Sequence, residues 1–214
     1  MEWDRDVQAP TAPEPGLFAE HVTEVTARTI GALEATNRFG GVVIHAGSER
    51  SYHRDDIAIP FRSDPYFTRF VPLAGADHML LVRPDRPVLL VRVSPLDHWH
   101  AAPAETAHPW SDVYEPLEVA SATEAVRVLG DVSDCAFVGA DPALAAAAGI
   151  GPDAVEPADL MARLDWDRAS KTAYEVECHR VAAERASLGH AAAREAALAL
   201  ASERAIHRAY LEAS

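Results

Sequence analysis

The sequence predicts an α/β fold, with a mixed and mostly buried sheet flanked by helices, followed by a long helical segment. Three observations support this prediction. Helical spacing of apolar residues leads straight into the short apolar run GVVIH. Two more apolar runs, HMLLVR and VLLVRV, flank the tight polar connection PDRP. From Pro157 onwards alanine, arginine and glutamate dominate, while glycine and proline nearly vanish. A helix that feeds a buried strand is typical of α/β proteins, and the flanked turn adds an antiparallel pair.

The first half of the chain is predicted to hold one helix and three strands. Residues 1–16, with three prolines, predict a poorly ordered lead-in. Apolar residues then recur at about 3.6-residue spacing, which predicts an amphipathic helix that ends before Gly40 and Gly41. The run GVVIH at 41–45 is of strand length. The hairpin strands are predicted at 78–83 and 88–93.

The second half continues with shorter elements and then becomes helical. A strand-like VYEPLEV, a helix-like TEAVRVLG, an apolar CAFVG and an alanine-rich DPALAAAAG are each bounded by Gly, Pro or Asp. These elements are predicted to join the same sheet. A long helix is predicted from about Trp166 to Leu200, because strong helix formers fill it. Ser202 is a predicted N-cap for a last helix.

These elements predict two domains. The boundary lies near Asp165, so that residues 17–165 form an N-terminal domain and residues 166–214 open a second domain. The last helix reaches Ser214 without a stop signal. We therefore expect the sequence to be truncated within the second domain.

Charge and cysteine content narrow the classes of partner and compartment. The 214 residues carry 33 acidic and 19 basic side chains, a net charge of -14, which argues against a nucleic-acid or anionic-membrane partner. Two cysteines without paired spacing and no secretion signal predict a reducing cytoplasm. No apolar run approaches the ~20 residues that span a bilayer, so we expect no membrane-integral segment.

Complete catalytic motifs are missing from the sequence. It contains no phosphate-binding glycine loop, no GxSxG, no HExxH and no CxxC. Asp55 and Asp56 could form a carboxylate pair for acid/base work or metal binding. Adjacent residues on an extended segment point in opposite directions, however, which favours a surface turn or a helix cap. No self-contained active site is predicted from these residues.

Histidine pairs give weaker signals. His98 and His100 flank Trp99, a spacing that on a strand would place both imidazoles on one face, as in a zinc site. No third ligand accompanies them, and neighbouring prolines indicate a loop. An aromatic contact to a partner or substrate, or ordinary packing, is therefore favoured over metal binding.

The start of the predicted long helix carries charged residues at helical spacing. Arg168, Lys171 and Glu175 are predicted to line one helical face as ion-pair partners. Glu175 and His179 also lie four residues apart. An exposed polar face accounts for all four residues.

Taken together, these stretches resemble the bacterial Xaa-Pro dipeptidases (prolidases), including the branch known as organophosphorus acid anhydrolases. The matching stretches are HAGSERSYHRDDIAIPFRSDPYFTRFVPL, the hairpin with VSPLDHWH, and RASKTAYEVECHRVAAERASLGHAAAREA with SERAIHRAYLEAS. The most specific parts are the pattern DD-x3-PF-x3-P-x-F and the helix entry R-x2-K-T-x-x-E. The resemblance covers most of residues 17–214, in the right order and spacing.

The resemblance implies a creatinase-type N-terminal α/β domain followed by a pita-bread catalytic domain. The catalytic domain of such enzymes binds two divalent metal ions, manganese or zinc, through Asp, His and Glu ligands. It hydrolyses the imide bond before proline in dipeptides. Those ligands lie downstream of the position that matches Ser214. We therefore expect no catalytic residue, no metal ligand and no bound metal in this chain, and no Xaa-Pro hydrolysis by it alone.

The resemblance also implies a homodimer in which this domain covers the partner subunit's active site. Asp56 matches an aspartate at the substrate pocket, where we expect it to face the ammonium group of the dipeptide. Trp99 matches an aromatic residue that covers the proline end, and His98 and Arg62 are weaker candidates for the same rim. Ala58 and Ile59 stand where relatives often have aromatic residues, which affects the pocket shape and any organophosphate activity.

Two alternatives remain open. The chain could be a stand-alone, non-catalytic binding or dimerisation module of creatinase-like fold. It could also belong to another pita-bread enzyme, an aminopeptidase P or a creatinase.

Overall fold

A computed structural model describes residues 14–95 and 110–214. The chain divides into two compact units. Of the described residues, those between 22 and 170 form the larger unit, and residues 14–21 together with 171–214 form the smaller unit. No described helix is both long and apolar enough to cross a membrane.

The described residues form the following helices and strands. The helices are α1 (Pro15–Thr36), α2 (Pro65–Phe70), α3 (Ala122–Leu129), α4 (Pro142–Ala147), α5 (Ala158–Ala169), α6 (Ala173–Leu198) and α7 (Glu203–Ala213), with a short 3-10 turn at Pro152–Ala154. The strands are β1 (Gly41–His45), β2 (Met79–Arg83), β3 (Arg86–Val93), β4 (Leu117–Val119) and β5 (Cys135–Val138).

The larger unit is built around a mixed sheet with the strand order β4-β3-β2-β1-β5. Strand β1 pairs antiparallel with β2, where Val43 lies opposite Leu81, and parallel with β5, where Val43 lies opposite Phe137. Strands β2 and β3 form an antiparallel hairpin, and β4 pairs parallel with β3. The predicted α/β class with a mixed sheet is therefore confirmed.

One face of the sheet packs against α3 and α4. Side chains of β1, β2, β3 and β5 contribute Val43, Leu81, Val91 and Phe137 to this core. The helices add Ala125, Leu129 and Ala145, and the loops add Val132 and Ile150. Every residue of β1 and β5 is buried, which requires cover on both faces of the sheet.

Within the larger unit, two arginines connect α1 and the residues just after it to α5. The guanidinium of Arg28 on α1 donates to the carbonyl oxygens of Asp167 and Ser170 at 2.9 and 2.7 Å. Arg38 forms a two-pronged ion pair with Asp159 at the start of α5. These contacts tie the end of the larger unit back to its first helix.

The long helix predicted from Trp166 to Leu200 is wrong in its first part. Helix α5 ends at Ala169 and α6 begins at Ala173. The cause is a capping box, in which Thr172 Oγ1 accepts from Glu175 N–H and the Glu175 carboxylate accepts from Thr172 N–H. Arg168, Lys171 and Glu175 therefore do not line one helical face, contrary to the prediction.

The smaller unit contains the helix pair α6 and α7. The predicted N-cap at Ser202 is confirmed, because its hydroxyl accepts from Ala205 N–H at 3.4 Å. Gly189 on α6 allows a close approach of α7: a Cβ atom at this position would lie 2.8 Å from the Tyr210 ring. At the start of α1, His21 Nδ1 lies 2.8 Å from Thr172 Oγ1.

Several predicted elements have different bounds in the structure, and β3 begins at Arg86 rather than at residue 88. Helix α1 begins at Pro15, inside the predicted lead-in of residues 1–16. The strand predicted for VYEPLEV shortens to Leu117–Val119, since a turn occupies residues 110–113. The division into domains at Asp165 stays a prediction.

Candidate functional site

Residues 46–64, between β1 and α2, carry two of the predicted site residues. Within this segment residues 50–59 form a short exposed hairpin, which we call the exposed hairpin. Ser51 and Ala58 form an isolated antiparallel bridge. Tyr52 N–H donates to the Ile57 carbonyl at 3.0 Å, and Ile59 N–H donates to the Arg50 carbonyl at 2.8 Å. Every residue of the hairpin is exposed to solvent.

The two adjacent aspartates of the hairpin differ in their hydrogen bonding. Asp55 Oδ1 accepts a hydrogen bond from Ile57 N–H at 3.0 Å, so this side chain stabilises the turn in which it lies. The turn predicted for the acid pair is thus present at Asp55. Asp56 is also exposed, and its carboxylate has no hydrogen bond or ion pair with any residue that the structure describes. Asp56 is therefore available to an external cation.

Arg62 follows the hairpin on the return path to α2. Its side chain is exposed, and no hydrogen bond or ion pair joins it to the described parts of the chain. The path then enters α2, where Asp64 caps the helix by accepting from Tyr66 N–H at 2.7 Å. Phe67 and Phe70 anchor α2 in the core. Arg62 thus lies on a segment whose far end is fixed by packing.

A polar cluster lies at the base of the segment. Asp77 Oδ1 accepts from Ser48 Oγ at 2.6 Å and lies 3.4 Å from His45 Nε2. The His45 side chain is fully buried. The contact with His45 lowers the pKa of Asp77, burial works against this, and Ser48 adds to it. The carboxylate is therefore held in its charged form. Sequence patterns do not predict this cluster, although the glycine-containing turn GAD before β2 marks its place.

A second histidine, His78, lies beside the cluster and is buried. Its Nδ1 accepts from Val93 N–H at 3.0 Å, and its Nε2 lies 3.0 Å from the Ala74 carbonyl oxygen. Its ring also stacks against Phe67, with ring centroids 6.0 Å apart. Both ring nitrogens of His78 thus face hydrogen-bonding atoms of the backbone, and its ring is packed against α2.

The other predicted rim residues, His98 and Trp99, belong to residues 96–109 and lie outside the described residues. Among residues 14–95 and 110–214, no three His, Cys, Asp or Glu side chains come together in a way that could hold a metal ion. The described side chains therefore do not fit a metal centre.

Comparisons with known proteins point to one family. The family model for the N-terminal domain of Xaa-Pro dipeptidase matches residues 16–166. The chain is 32% identical to an Xaa-Pro dipeptidase of Shewanella loihica over 92% of this chain and 45% of that protein. Similar matches are Xaa-Pro dipeptidases of Pseudoalteromonas atlantica, 33% identical over 92% of this chain and 44% of that protein, and of Proteus mirabilis, 31% identical over 92% and 45%.

The chain spans a little under half the length of these curated relatives. The family matched over residues 16–166 is the one that the motifs around Asp56 indicated, so the resemblance is confirmed. This chain belongs to the Xaa-Pro dipeptidase family, whose N-terminal domain it contains.

Proposed function

We propose that this chain is the N-terminal part of a metal-dependent dipeptidase that hydrolyses dipeptides with a C-terminal proline. In this proposal the exposed hairpin covers the active site of a partner subunit in a homodimer. The observation that carries the proposal is the Asp56 carboxylate, which projects from the hairpin without a partner among the described residues. A carboxylate without a partner inside its own domain can bind a cationic group of a ligand from outside the domain.

The chemistry of the substrate matches this surface. A dipeptide carries an ammonium group at one end and a carboxylate at the other. Asp56 supplies the negative charge for the ammonium group, and the attraction strengthens when the cleft excludes water. Arg62 offers a cation for the peptide carboxylate. His98 and Trp99 complete the rim in this proposal, with Trp99 over the proline ring.

The bond cleavage itself is assigned to a part of the enzyme outside this chain. The described side chains offer no metal centre, and the two divalent metal ions of the proposal, manganese or zinc, would be bound by residues that follow this domain. The contribution of this chain is selection of the substrate and closure of the site. We also place the enzyme in the cytoplasm, because both cysteines of the chain are free thiols.

The first test is activity of the 214-residue chain with Ala-Pro and added manganese or zinc. We expect no turnover, whereas the full-length protein that contains this domain should hydrolyse Ala-Pro under the same conditions. Metal-dependent turnover by the purified chain alone would contradict the assignment of catalysis to the rest of the protein.

The second test is the substitution Asp56→Asn in the full-length enzyme. Because a charge-assisted contact to the substrate is lost, KM for Xaa-Pro dipeptides should rise about tenfold or more while kcat changes little. Asp85→Asn, at the exposed turn between β2 and β3, is the matched control and should leave KM unchanged. Unchanged dipeptide kinetics in Asp56→Asn would remove Asp56 from the site.

A different outcome would favour a stand-alone dimerisation module. In that case the chain would form dimers in sedimentation experiments, and neither it nor a longer protein would hydrolyse Xaa-Pro dipeptides. Full-length activity on creatine or on longer Xaa-Pro peptides, without activity on Ala-Pro, would instead indicate a creatinase or an aminopeptidase P.

A further inference from the structure

We propose that Ser48 and Asp77 are positioning residues that fix the base of the exposed hairpin and thereby set where Asp56 stands. This inference rests on the proposed function of Asp56 and adds two residues that do not contact the substrate themselves. Its basis is the hydrogen-bonding pattern of the segment that connects β1 to α2.

The exposed hairpin projects from the domain with few restraints of its own. Residues 49–62 form hydrogen bonds among themselves, and none of the described hydrogen bonds joins them to another part of the chain. The direction in which the hairpin points is therefore decided where the segment leaves and re-enters the domain.

Both ends of the segment meet at Ala46. Its N–H donates to the His78 carbonyl at 2.9 Å, and its carbonyl accepts from Asp64 N–H at 2.8 Å. One residue later, the Gly47 carbonyl accepts from Asp77 N–H at 2.7 Å. The turn before β2 thus clamps the exit and the return of the segment together.

The Ser48 hydroxyl adds a side-chain bond to this clamp. It donates to Asp77 Oδ1 at 2.6 Å, at the last residue before the exposed part of the segment. His45 Nε2, at 3.4 Å from the same oxygen, helps to keep the carboxylate charged. A charged acceptor makes a stronger hydrogen bond than a neutral one. Ser48 and Asp77 therefore restrain the hairpin at its root.

The backbone at Asp77 allows a clean substitution. Its φ is +63°, in the left-handed region that Asn and Asp tolerate better than other side chains. Asp77→Asn removes the charge without straining the turn. Ser48→Ala removes the hydroxyl alone, and Ser48→Thr retains a hydroxyl. Ser63→Ala is the matched control, since the Ser63 hydroxyl makes a long 3.4 Å bond to the Leu73 carbonyl at the other end of the segment.

The first experiment is amide hydrogen exchange on this chain. Ser48→Ala should speed exchange at the Asp64 amide about tenfold, the factor expected when a hydrogen bond to a carboxylate is lost. Asp77→Asn should speed it by a smaller factor, because the amide oxygen can still accept from the Ser48 hydroxyl but without the charge. The Val43 amide in β1 should keep its rate, which shows that the fold is intact. Ser48→Thr should restore most of the protection, and Ser63→Ala should change it little. Unaltered exchange at Asp64 in both variants would overturn the inference.

The second experiment tests, in the full-length enzyme, whether the hydrogen bond between Ser48 and Asp77 acts on substrate binding through Asp56. Ser48→Ala should raise KM for Ala-Pro with kcat nearly unchanged, by no more than the roughly tenfold effect of Asp56→Asn. In the Asp56→Asn background, Ser48→Ala should add nothing. An equal effect of Ser48→Ala in both backgrounds would overturn the inference.

The proposed function of Asp56 and the positioning role of Ser48 and Asp77 can be contradicted independently of each other. If Asp56→Asn leaves KM unchanged, the proposed function of Asp56 fails, whereas the exchange experiment still decides whether Ser48 and Asp77 fix the hairpin. If exchange is unaltered but Asp56→Asn raises KM, the proposed function stands and the positioning role is wrong.

Discussion

His78 Nδ1 accepts a hydrogen bond from the backbone N–H of Val93 at 3.0 Å, inside the larger unit. The other ring nitrogen, Nε2, lies 3.0 Å from the Ala74 carbonyl oxygen, which can only accept. The hydrogen-bond network therefore assigns the ring proton to Nε2 and leaves the imidazole neutral. Burial lowers the pKa of His78, while the Ala74 carbonyl works in the opposite direction and nearby Arg92 adds to the lowering.

The first prediction is a loss of stability in mild acid. Because the folded pKa of His78 is lowered, the unfolded chain binds more protons than the folded chain below about pH 6.5. The free energy of unfolding should therefore be fully retained above that pH and fall as the pH drops, by at most about 1.4 kcal/mol per pH unit from this residue. Urea unfolding at pH 7.5 and 5.5 measures the change.

His78→Asn tests the assignment, since the shorter amide oxygen can still accept from Val93 N–H but does not titrate. In this variant the free energy of unfolding should differ less between pH 7.5 and pH 5.5 than it does in the unchanged protein. His207→Asn, on the exposed side of α7, is the control and should retain it. A ring-proton titration of His78 with a midpoint at or above 6.5 would contradict the prediction.

The second prediction concerns the capping box that separates α5 from α6. Thr172 is buried, and its Oγ1 accepts from Glu175 N–H at 3.2 Å and lies 2.8 Å from His21 Nδ1. Thr172→Ala should lower the free energy of unfolding by about 1–2 kcal/mol, because both contacts disappear. Chemical denaturation followed by circular dichroism measures the loss.

Two further variants make the capping prediction specific. Thr172→Ser keeps the hydroxyl and should retain most of the stability. Ser202→Ala removes the exposed cap of α7, which rests on one long 3.4 Å bond, and should cost less than Thr172→Ala. Equal losses in the free energy of unfolding for the two alanine variants would show that the capping box stabilises the fold no more than the single bond at Ser202 does.

The same capping box shows what sequence patterns can and cannot resolve in this chain. Thr172 and Glu175 follow the T-x-x-E pattern of a helix start, so the break after α5 was readable from the sequence. The strong helix formers on both sides of Ser170 outweighed that local signal in the prediction. By contrast β1 has its predicted bounds and the β2-β3 hairpin is present with strand starts within two residues of the prediction, because buried apolar runs bounded by Gly and Pro have few alternatives.

The candidate site was less predictable because its parts are distant in sequence. Asp56 is a candidate only through the family resemblance, whereas the structure gives Asp55 a local hydrogen bond from Ile57 N–H. Ser48 and Asp77 lie 29 positions apart and meet only through the pairing of β1 with β2. Single-sequence periodicity carries no information on such a pair.

The third prediction concerns the ion pair between β2 and the turn before β5. Arg83 forms a two-pronged contact with Asp134, with Nη2–Oδ1 and Nη1–Oδ2 distances of 2.5 and 3.0 Å. The Arg83 side chain is 12% exposed and the Asp134 side chain 56% exposed, so solvent weakens the pair only in part. Asp134→Ala should cost about 1 kcal/mol of stability.

Asp85→Ala provides the matched control for this ion pair. Asp85 lies 3.6 Å from Arg86, and both side chains are largely exposed, so its removal should change stability by a few tenths of a kcal/mol or less. In 1 M salt the difference between the two variants should narrow, because exposed charges are screened. A difference that grows with salt would show that packing, rather than charge, accounts for the loss.

The last prediction concerns the two thiols. Cys135 on β5 is fully buried, and burial raises the pKa of its thiol to about 12. Cys178 on α6 is half-buried and lines a groove beside Tyr210. Because the thiolate is the reactive form, Ellman's reagent should label one thiol in the folded chain and two in denaturant.

Cys178→Ser should abolish the folded-state signal, and Cys135→Ser should leave it intact. Rapid labelling of Cys135 in the folded chain would mean that the edge strand β5 opens, because Cys135 is fully buried in the closed sheet.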